Sequence, residues 1–386
     1  MRLRSAQVTL LALPFRMPVS HSTFHRTACD SVLVRVEASD GTVGWGEGAP
    51  RPYVGGENAE SVFTEVTEVL WPAAVAADIP DFAGDLSALL ATLDGILPDS
   101  PVSGDLVAHH AARCAVELAI IDCQLRRAGV GLLDALGSRR EQVRYNGMLP
   151  TGDMKLGRRI LHLMAEIGLP GVKVKLGDGD EAERLKMFKE ILGEDVQVLA
   201  DANGVWSEDQ VCAVDPMLVS AGLTVLEQPL PRGDVADLAR LRASIRTPIM
   251  VDESLVTLAD AEALIAAGAC DVFNVRLSKC GGLGRSLAFI NLARAAGLGW
   301  QLGAHVGETA ILSAVGRALA LSVDDSMYVE GSIGEWLLEE DLTSPSVQLG
   351  PGGCGGPLKG PGFGIDVLED RVDRYAVKRV LLGEES

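Results

Sequence analysis

Acidic and basic side chains recur at the ends of successive short apolar segments of this sequence. Asp201, Glu227 and Asp252 close three such segments, and Lys175 and Lys279 lie at matching positions before and after them. The five positions are separated by 26, 26, 25 and 27 residues. Carboxylates that converge repel one another unless a cation lies among them. A hard divalent ion with oxygen ligands fits that place, so the pattern predicts Mg²⁺, with Mn²⁺ as the alternative.

The stretch GVKVKLG places two lysines in a segment that otherwise resembles a buried strand. Because strand side chains alternate, Lys173 and Lys175 point to the same side. An ammonium near a cation and a second ammonium has its pKa lowered toward the range of a base. Lys279 comes from a segment beyond the carboxylates, so a substrate over the metal would have a lysine on each face. This chemistry suits removal of the proton next to a carboxylate, with the metal holding the enediolate.

For any one of these residues, a helix cap or a surface ion pair is the simpler explanation. Charged residues at the ends of consecutive units favour a shared site, because buried charges are costly unless they are paired or bound to metal.

The elements that would position these residues alternate between strand and helix from Val143 onward. Such alternation predicts a parallel sheet, and a regular repeat with eight strands predicts a (β/α) barrel, whose strands end at one catalytic face. We expect the barrel to occupy residues 140–350. Residues 1–130 predict a smaller α+β unit, with a hairpin in DSVLVRVEASDGTVGWGEG and two helical segments.

Composition excludes several classes of function. The net charge of −19 over 386 residues argues against nucleic acid or an anionic membrane as a partner. No window approaches the roughly 18 apolar residues of a membrane span. Seven scattered cysteines without a C-x-x-C motif predict reduced thiols in a cytoplasmic protein. The Walker, H-E-x-x-H, G-x-S-x-G and G-x-G-x-x-G motifs are absent from the sequence.

The words KVKLG, LADANG, LEQPL, VDES and RLSKCGG, in that order, resemble the enolase superfamily and within it the muconate-lactonizing enzyme subgroup. GWGEGAP and GPGFGIDV are similar to that family's capping-domain segments. The resemblance implies a capping domain built from the N-terminal region and from a C-terminal tail, residues 355–386. It also implies metal ligands Asp201, Glu227 and Asp252, acid–base residues Lys175 and Lys279, Lys173 as a charge-stabilising neighbour, and assembly as a homo-oligomer.

Further residues are predicted to contact a substrate. His305 lies where mandelate-racemase-like enzymes have a histidine base, but Lys279 precedes it here, so a lining role is expected. Glu330 ends the eighth strand in YVEGS, where dipeptide epimerases have Asp-x-Asp, and it could bind a cationic group. The complete set of predicted contacts is Asn203, His305, Glu308, Glu330, Tyr53 and His25.

The sequence therefore predicts a metal-dependent isomerase that acts on a small-molecule carboxylate. Racemisation or epimerisation of an amino-acid derivative and muconate-type cycloisomerisation are the leading reactions. A dehydratase acting on a hydroxy acid or a hydroxyproline is the alternative. A barrel that binds a carboxylate without turnover is a third hypothesis.

Overall fold

The N-terminal unit is built on an antiparallel sheet. The computed structural model describes residues 1–21 and 24–383 of the chain. Strand β1 (Leu3–His21) pairs with β2 (Phe24–Ala38), and β2 pairs with β3 (Val43–Gly48). The predicted hairpin is thus formed by β2 and β3.

A long helix packs directly on this sheet. The helices of the unit are α1 (Pro52–Gly55), α2 (Ala59–Glu65), α3 (Trp71–Ala76), α4 (Leu86–Ile96), α5 (His110–Ala128) and α6 (Leu132–Leu136), with a π-helical turn over Val66–Leu70. A Cβ on Gly44, Gly46 or Gly48 of β3 would lie only 2.1–2.3 Å from a carbonyl oxygen of α5. The alternating glycines of VGWGEG therefore let α5 lie against the strand.

The central unit is a curved sheet of eight parallel strands, as the sequence predicts. After a short strand β4 (Val143–Arg144), the eight are β5 (Gly147–Leu149), β6 (Gly171–Lys175), β7 (Gln197–Asp201), β8 (Leu223–Glu227), β9 (Ile249–Val251), β10 (Val272–Val275), β11 (Gly299–Leu302) and β12 (Tyr328–Val329). They lie side by side in chain order. A 2.8 Å hydrogen bond from Asn146 N to Val329 O joins the first edge to the last.

Helices connect the strands on the outside of the sheet. They are α7 (Met154–Ile167), α8 (Glu181–Leu192), α9 (Glu208–Ser220), α10 (Val235–Ser244), α11 (Leu258–Ala267), α12 (Leu283–Ala295), α13 (Ala310–Leu321) and α14 (Gly334–Leu337). Every residue of β6 is buried, since its valines face these helices and its lysines face the barrel interior. No helix of the described chain is long and apolar enough to span a membrane.

The C-terminal tail returns to the N-terminal sheet. It contains β13 (Thr343–Ser344), β14 (Cys354–Gly355), β15 (Asp366–Val367), α15 (Glu369–Tyr375) and β16 (Ala376–Gly383), with a 3₁₀ turn over Pro351–Gly353. Strand β16 pairs antiparallel with β1. The cap formed by both ends of the chain is confirmed, whereas the domain limits given above stay predictions.

Two buried glutamates of the cap hold the start of two barrel helices. Glu117 of α5 accepts hydrogen bonds from Leu283 N at 2.6 Å and Gly284 N at 3.2 Å, at the start of α12. Glu47 of β3 accepts from Thr309 N, immediately before α13. Helix N-termini carry unpaired N–H groups and partial positive charge, which these carboxylates satisfy. A Cβ on Gly282, whose φ is +111°, would lie 2.0 Å from Glu117 Oε2.

We predict that Gly282→Ala destabilises the protein by more than the ~1–3 kcal/mol that alanine costs in this nearly glycine-only backbone conformation (φ 111°, ψ −171°), because the methyl group would also displace Glu117 from α12. Gly193→Ala is the matched control, since Gly193 has a similar backbone conformation (φ 82°, ψ −176°) but a Cβ there would have no atom within 4 Å. Urea unfolding of both variants measures the difference. Equal losses of stability would contradict the docking role of Glu117.

Candidate active site

Three acidic side chains meet at the carboxyl ends of adjacent strands, as their spacing predicts. Asp201 and Glu227 are the last residues of β7 and β8 and are register partners, and Asp252 follows β9 directly. Their exposed fractions are 0%, 0% and 1%. Burial, together with the nearby charges of Asp201 and Asp252, raises the pKa of Glu227 to about 7. The carboxylates therefore depend on positive neighbours.

The two lysines of β6 supply positive charge on one side. Lys173 Nζ lies 2.8 Å from Glu227 Oε2 and 2.8 Å from Glu330 Oε1. Burial alone would lower the pKa of Lys173, but these carboxylates and Asp201 together raise it well above its ordinary value. Lys175 Nζ lies 2.5 Å from Asp201 Oδ2 and 2.7 Å from Asn203 Oδ1.

Two basic residues beyond β10 supply positive charge on the other side. Arg276 Nη2 lies 2.6 Å from Asp252 Oδ2 and 3.2 Å from Glu227 Oε1. Lys279 Nζ donates to Asp252 Oδ1 at 2.8 Å, to Asp252 O at 3.0 Å and to Asn274 O at 2.6 Å. All three N–H groups of the Lys279 ammonium are thus occupied by acceptors.

A cavity of about 40 Å³ opens over this charge cluster. Its described polar lining consists of Lys173, Lys175, Asn203, Arg276, Glu330 and Tyr53. Lys279 instead lines a narrower space of about 10 Å³. The sequence predicts Lys279 as the base opposite Lys175, yet the basic residue that lines this cavity from the β10 side is Arg276. A part for Lys279 in proton transfer stays a prediction.

The other predicted contacts are distributed unevenly. Asn203, Glu330 and Tyr53 line the cavity over the charge cluster, which is the candidate catalytic cavity. His305 is buried, with Nδ1 3.5 Å from Arg276 Nη1, and burial holds its pKa well below the ordinary value. Glu308 accepts from His305 N at 3.1 Å and faces a neighbouring cleft.

His25 is the one predicted contact whose side chain the structure does not describe, although its backbone belongs to β2. Its role in substrate contact stays a prediction.

Sequence reasoning missed two residues of the cluster, Arg276 and Glu253. Arg276 is two positions from Asn274, whose Nδ2 donates to Glu227 Oε1 at 2.7 Å. The same period of two that singled out Lys173 and Lys175 would have indicated it. Glu253 Oε1 accepts from Asn203 Nδ2 at 3.1 Å.

The donor set has the chemistry of a site for a hard divalent cation, because it consists of buried carboxylate oxygens from three neighbouring strands. Within residues 1–21 and 24–383, no group of three or more His, Cys, Asp or Glu side chains is already arranged to hold a metal ion. The ion pairs explain this, since Lys173, Lys175, Arg276 and Lys279 each occupy carboxylate oxygens. The residues fit the ion in chemical type and in burial.

The sequence matches two family models and a set of named enzymes. Residues 155–371 match the family model "Enolase C-terminal domain-like", and residues 4–137 match "Mandelate racemase / muconate lactonizing enzyme, N-terminal domain". A chloromuconate cycloisomerase from Pseudomonas sp. (strain P51) is 30% identical, over 97% of this chain and 99% of its own length.

Solved structures agree with this match. The 2-chloromuconate cycloisomerase from Rhodococcus opacus 1CP is 29% identical with a TM-score of 0.86, over 98% of this chain and 100% of that one. The dipeptide epimerase from Cytophaga hutchinsonii, complexed with Mg and dipeptide D-Ala-L-Val, is 23% identical with a TM-score of 0.85, over 99% of this chain and 100% of that one. The second likeness concerns the fold alone.

We predict that Lys173→Met lowers the free energy of unfolding by about 3–5 kcal/mol in metal-free buffer, because it leaves Glu227 and Glu330 without their buried partner. Lys189→Met is the control, since it removes only the exposed pair with Glu194 and should cost less than about 1 kcal/mol. Denaturant unfolding of both proteins gives the comparison. A Lys173→Met protein as stable as the control would show that the cluster does not need this charge.

Proposed function

Because the chain belongs to the mandelate racemase / muconate lactonizing enzyme family of the enolase superfamily, we propose that it isomerises its substrate by transfer of the proton α to the substrate carboxylate. Its relatives include enzymes named as cycloisomerases and epimerases, so the protein is an enzyme of the isomerase class. The observation that carries the proposal is the shared cavity of Lys175 and Arg276 above three buried carboxylates.

Asp201, Glu227 and Asp252 would hold the metal ion, Mg²⁺ or alternatively Mn²⁺. When bound, the ion would neutralise negative charge that develops on the substrate carboxylate as the α-proton leaves. The Cytophaga hutchinsonii epimerase was crystallised as a complex with Mg, which supports the choice of metal.

Lys175 is the proposed base. Its ammonium borders the cavity and is oriented by Asp201 and Asn203, so a proton can pass between Nζ and a substrate above it. Lys173 is held by two carboxylates, and its part is to contribute fixed positive charge beside the developing anion.

On the other side of the cavity, Arg276 provides positive charge but no group that can accept a proton. A guanidinium has donors only and does not give up its proton in proteins. It can stabilise negative charge or bind a carboxylate, but it cannot accept the α-proton. This favours reactions in which one lysine handles the proton on one face, such as cycloisomerisation, over a racemisation that needs a base on each face.

Racemisation or epimerisation is the second candidate, supported by the relative named hydrophobic dipeptide epimerase from Enterococcus faecalis. It would require the Lys279 ammonium to leave its three acceptors and reach the substrate. A dehydratase would also work with one lysine, and loss of water from the substrate would identify it. A barrel that only binds carboxylates would show no proton exchange at all.

The remaining expectations join the proposal. Asn203, Glu330, Tyr53, His305, Glu308 and His25 are proposed substrate contacts. The substrate is a small-molecule carboxylate, and we expect a homo-oligomer in the cytoplasm, where the seven free thiols would stay reduced.

The metal assignment predicts the behaviour of single carboxylate variants. Asp201→Asn, Glu227→Gln and Asp252→Asn should each weaken Mg²⁺ binding by at least about tenfold, since each removes one charged ligand. Asp271→Asn is the control, because Asp271 precedes β10 at the opposite end of the sheet and bonds Ile249 N. Calorimetric titration with Mg²⁺ measures all four proteins. Full turnover by the wild-type enzyme in EDTA would rule out the metal.

The one-base proposal predicts an asymmetric pattern of solvent exchange. Screening N-acylated amino acids, dipeptides, muconates and proline derivatives in D₂O with Mg²⁺ identifies a working substrate. The rate of deuterium incorporation should then be about 10²–10⁴-fold lower in Lys175→Met, which is the usual effect of removing a general base. Lys279→Met should keep the wild-type preference for one face, whatever its absolute rate.

The variants Arg276→Met and Arg276→Lys distinguish the effect of positive charge at position 276 from the effect of a proton acceptor there. Arg276→Met should slow exchange on the preferred face, and Arg276→Lys should add exchange on the opposite face. Wild-type exchange on both faces, with one face lost in Lys279→Met, would establish the two-base mechanism instead.

A further inference from the structure

A second cavity, much larger than the catalytic one, adjoins it. The larger cavity has a volume of about 240 Å³, against about 40 Å³ above the charge cluster. Met148, Ala304, Val306 and Glu330 line both spaces. The catalytic cavity by itself has room for little more than a carboxylate and its α-carbon, so the rest of a substrate must extend elsewhere.

The larger cavity, here called the apolar cleft, arises from the short helix α14. In a (β/α) barrel the first outer helix has the eighth as its neighbour, but α14 contains only four residues. One face of α7 is therefore left uncovered. The walls are formed by Ile160, Leu163 and Met164 of α7, Trp336 and Leu337 of α14, and Met17 of the cap.

The rim of the apolar cleft is unusually exposed for apolar side chains. Met17, Leu163 and Trp336 are 54%, 52% and 45% exposed. Clustered exposed apolar residues at a cavity commonly mark a binding site. The described lining contains two carboxylates, Glu308 and Glu330, and no Lys or Arg.

We propose that the apolar cleft is a substrate subsite for a bulky, uncharged apolar group attached to the carboxylate held at the catalytic cavity. This rests on the proposed function for the carboxylate end. A cavity of about 150 Å³ can bind benzene, so the cleft accommodates an aryl group or an acyl chain of six or more carbons. A second anionic end is disfavoured, because the described lining of the apolar cleft offers it no Lys or Arg partner.

The subsite predicts that affinity rises with acyl length. Calorimetry with Mg²⁺ compares N-acetyl-, N-butanoyl- and N-octanoylalanine, each as separate enantiomers, with N-succinylalanine. Each added methylene should tighten binding about two- to fourfold until the cleft is filled. N-succinylalanine should bind more weakly than N-butanoylalanine, which has the same chain length without the terminal charge. Affinity that does not change with chain length overturns the proposal.

A pair of variants on α7 tests the location. Leu163→Asp should lower the ratio of N-octanoyl to N-acetyl affinity at least tenfold, because it places a charge in the wall. Leu156→Asp should keep the wild-type ratio, since Leu156 is exposed on the same helix two turns earlier and does not line the cleft. Equal ratios in the two variants contradict the assignment.

The exposed apolar rim could instead form an interface with a second copy of the chain. If sedimentation shows that Leu163→Asp dissociates an oligomer while the chain-length effect is unchanged, the rim is an interface and the proposal fails. Calorimetry needs no turnover, so a chain-length effect without deuterium exchange would preserve the subsite and refute the proposed reaction. Deuterium exchange without a chain-length effect would support the proposed reaction and refute the subsite.

Discussion

Three carboxylates removed from water at the ends of neighbouring strands cannot remain charged together unless positive charge lies among them. The structure meets this requirement with basic residues on either side, Lys173 and Lys175 of β6 and Arg276 and Lys279 beyond β10. Taking an ion into a protein interior costs several kcal/mol, which only close partners offset. The cluster is therefore costly to keep in the protein interior. The proposed site for a divalent cation and an anionic substrate would account for it.

The cap lies over the charge cluster and is anchored to the barrel. Its helix α5 lies against β3 through three glycines, and Glu117 and Glu47 reach from it to the N-termini of two barrel helices. The cap also contributes Tyr53 to the lining of the catalytic cavity. Low local dielectric strengthens each electrostatic interaction with a substrate. The packing of the cap on the barrel would thus strengthen the electrostatic interactions of the proposed site with a substrate.

Much of this arrangement could be predicted from the sequence because it follows from periodicity. A repeat near 26 residues places Asp201 and Glu227 at successive strand ends, and alternation turns Lys173 and Lys175 inward. Alternation continues from Asn274 to Arg276, one residue past the end of β10, but it gives no direction for Lys279, which lies in the turn that follows. The apolar cleft could not be foreseen, since it depends on how short α14 is and on which face of α7 remains uncovered.

The proposed metal ion of this charge cluster can be located directly. A crystal of the protein is soaked with Mn²⁺, and diffraction is recorded at a wavelength that gives anomalous scattering from manganese. We predict one strong anomalous peak surrounded by oxygens of Asp201, Glu227 and Asp252, with the Arg276 guanidinium moved away from Asp252. Carboxylates that stay paired with Lys173, Lys175 and Arg276, with manganese elsewhere or nowhere, would contradict it.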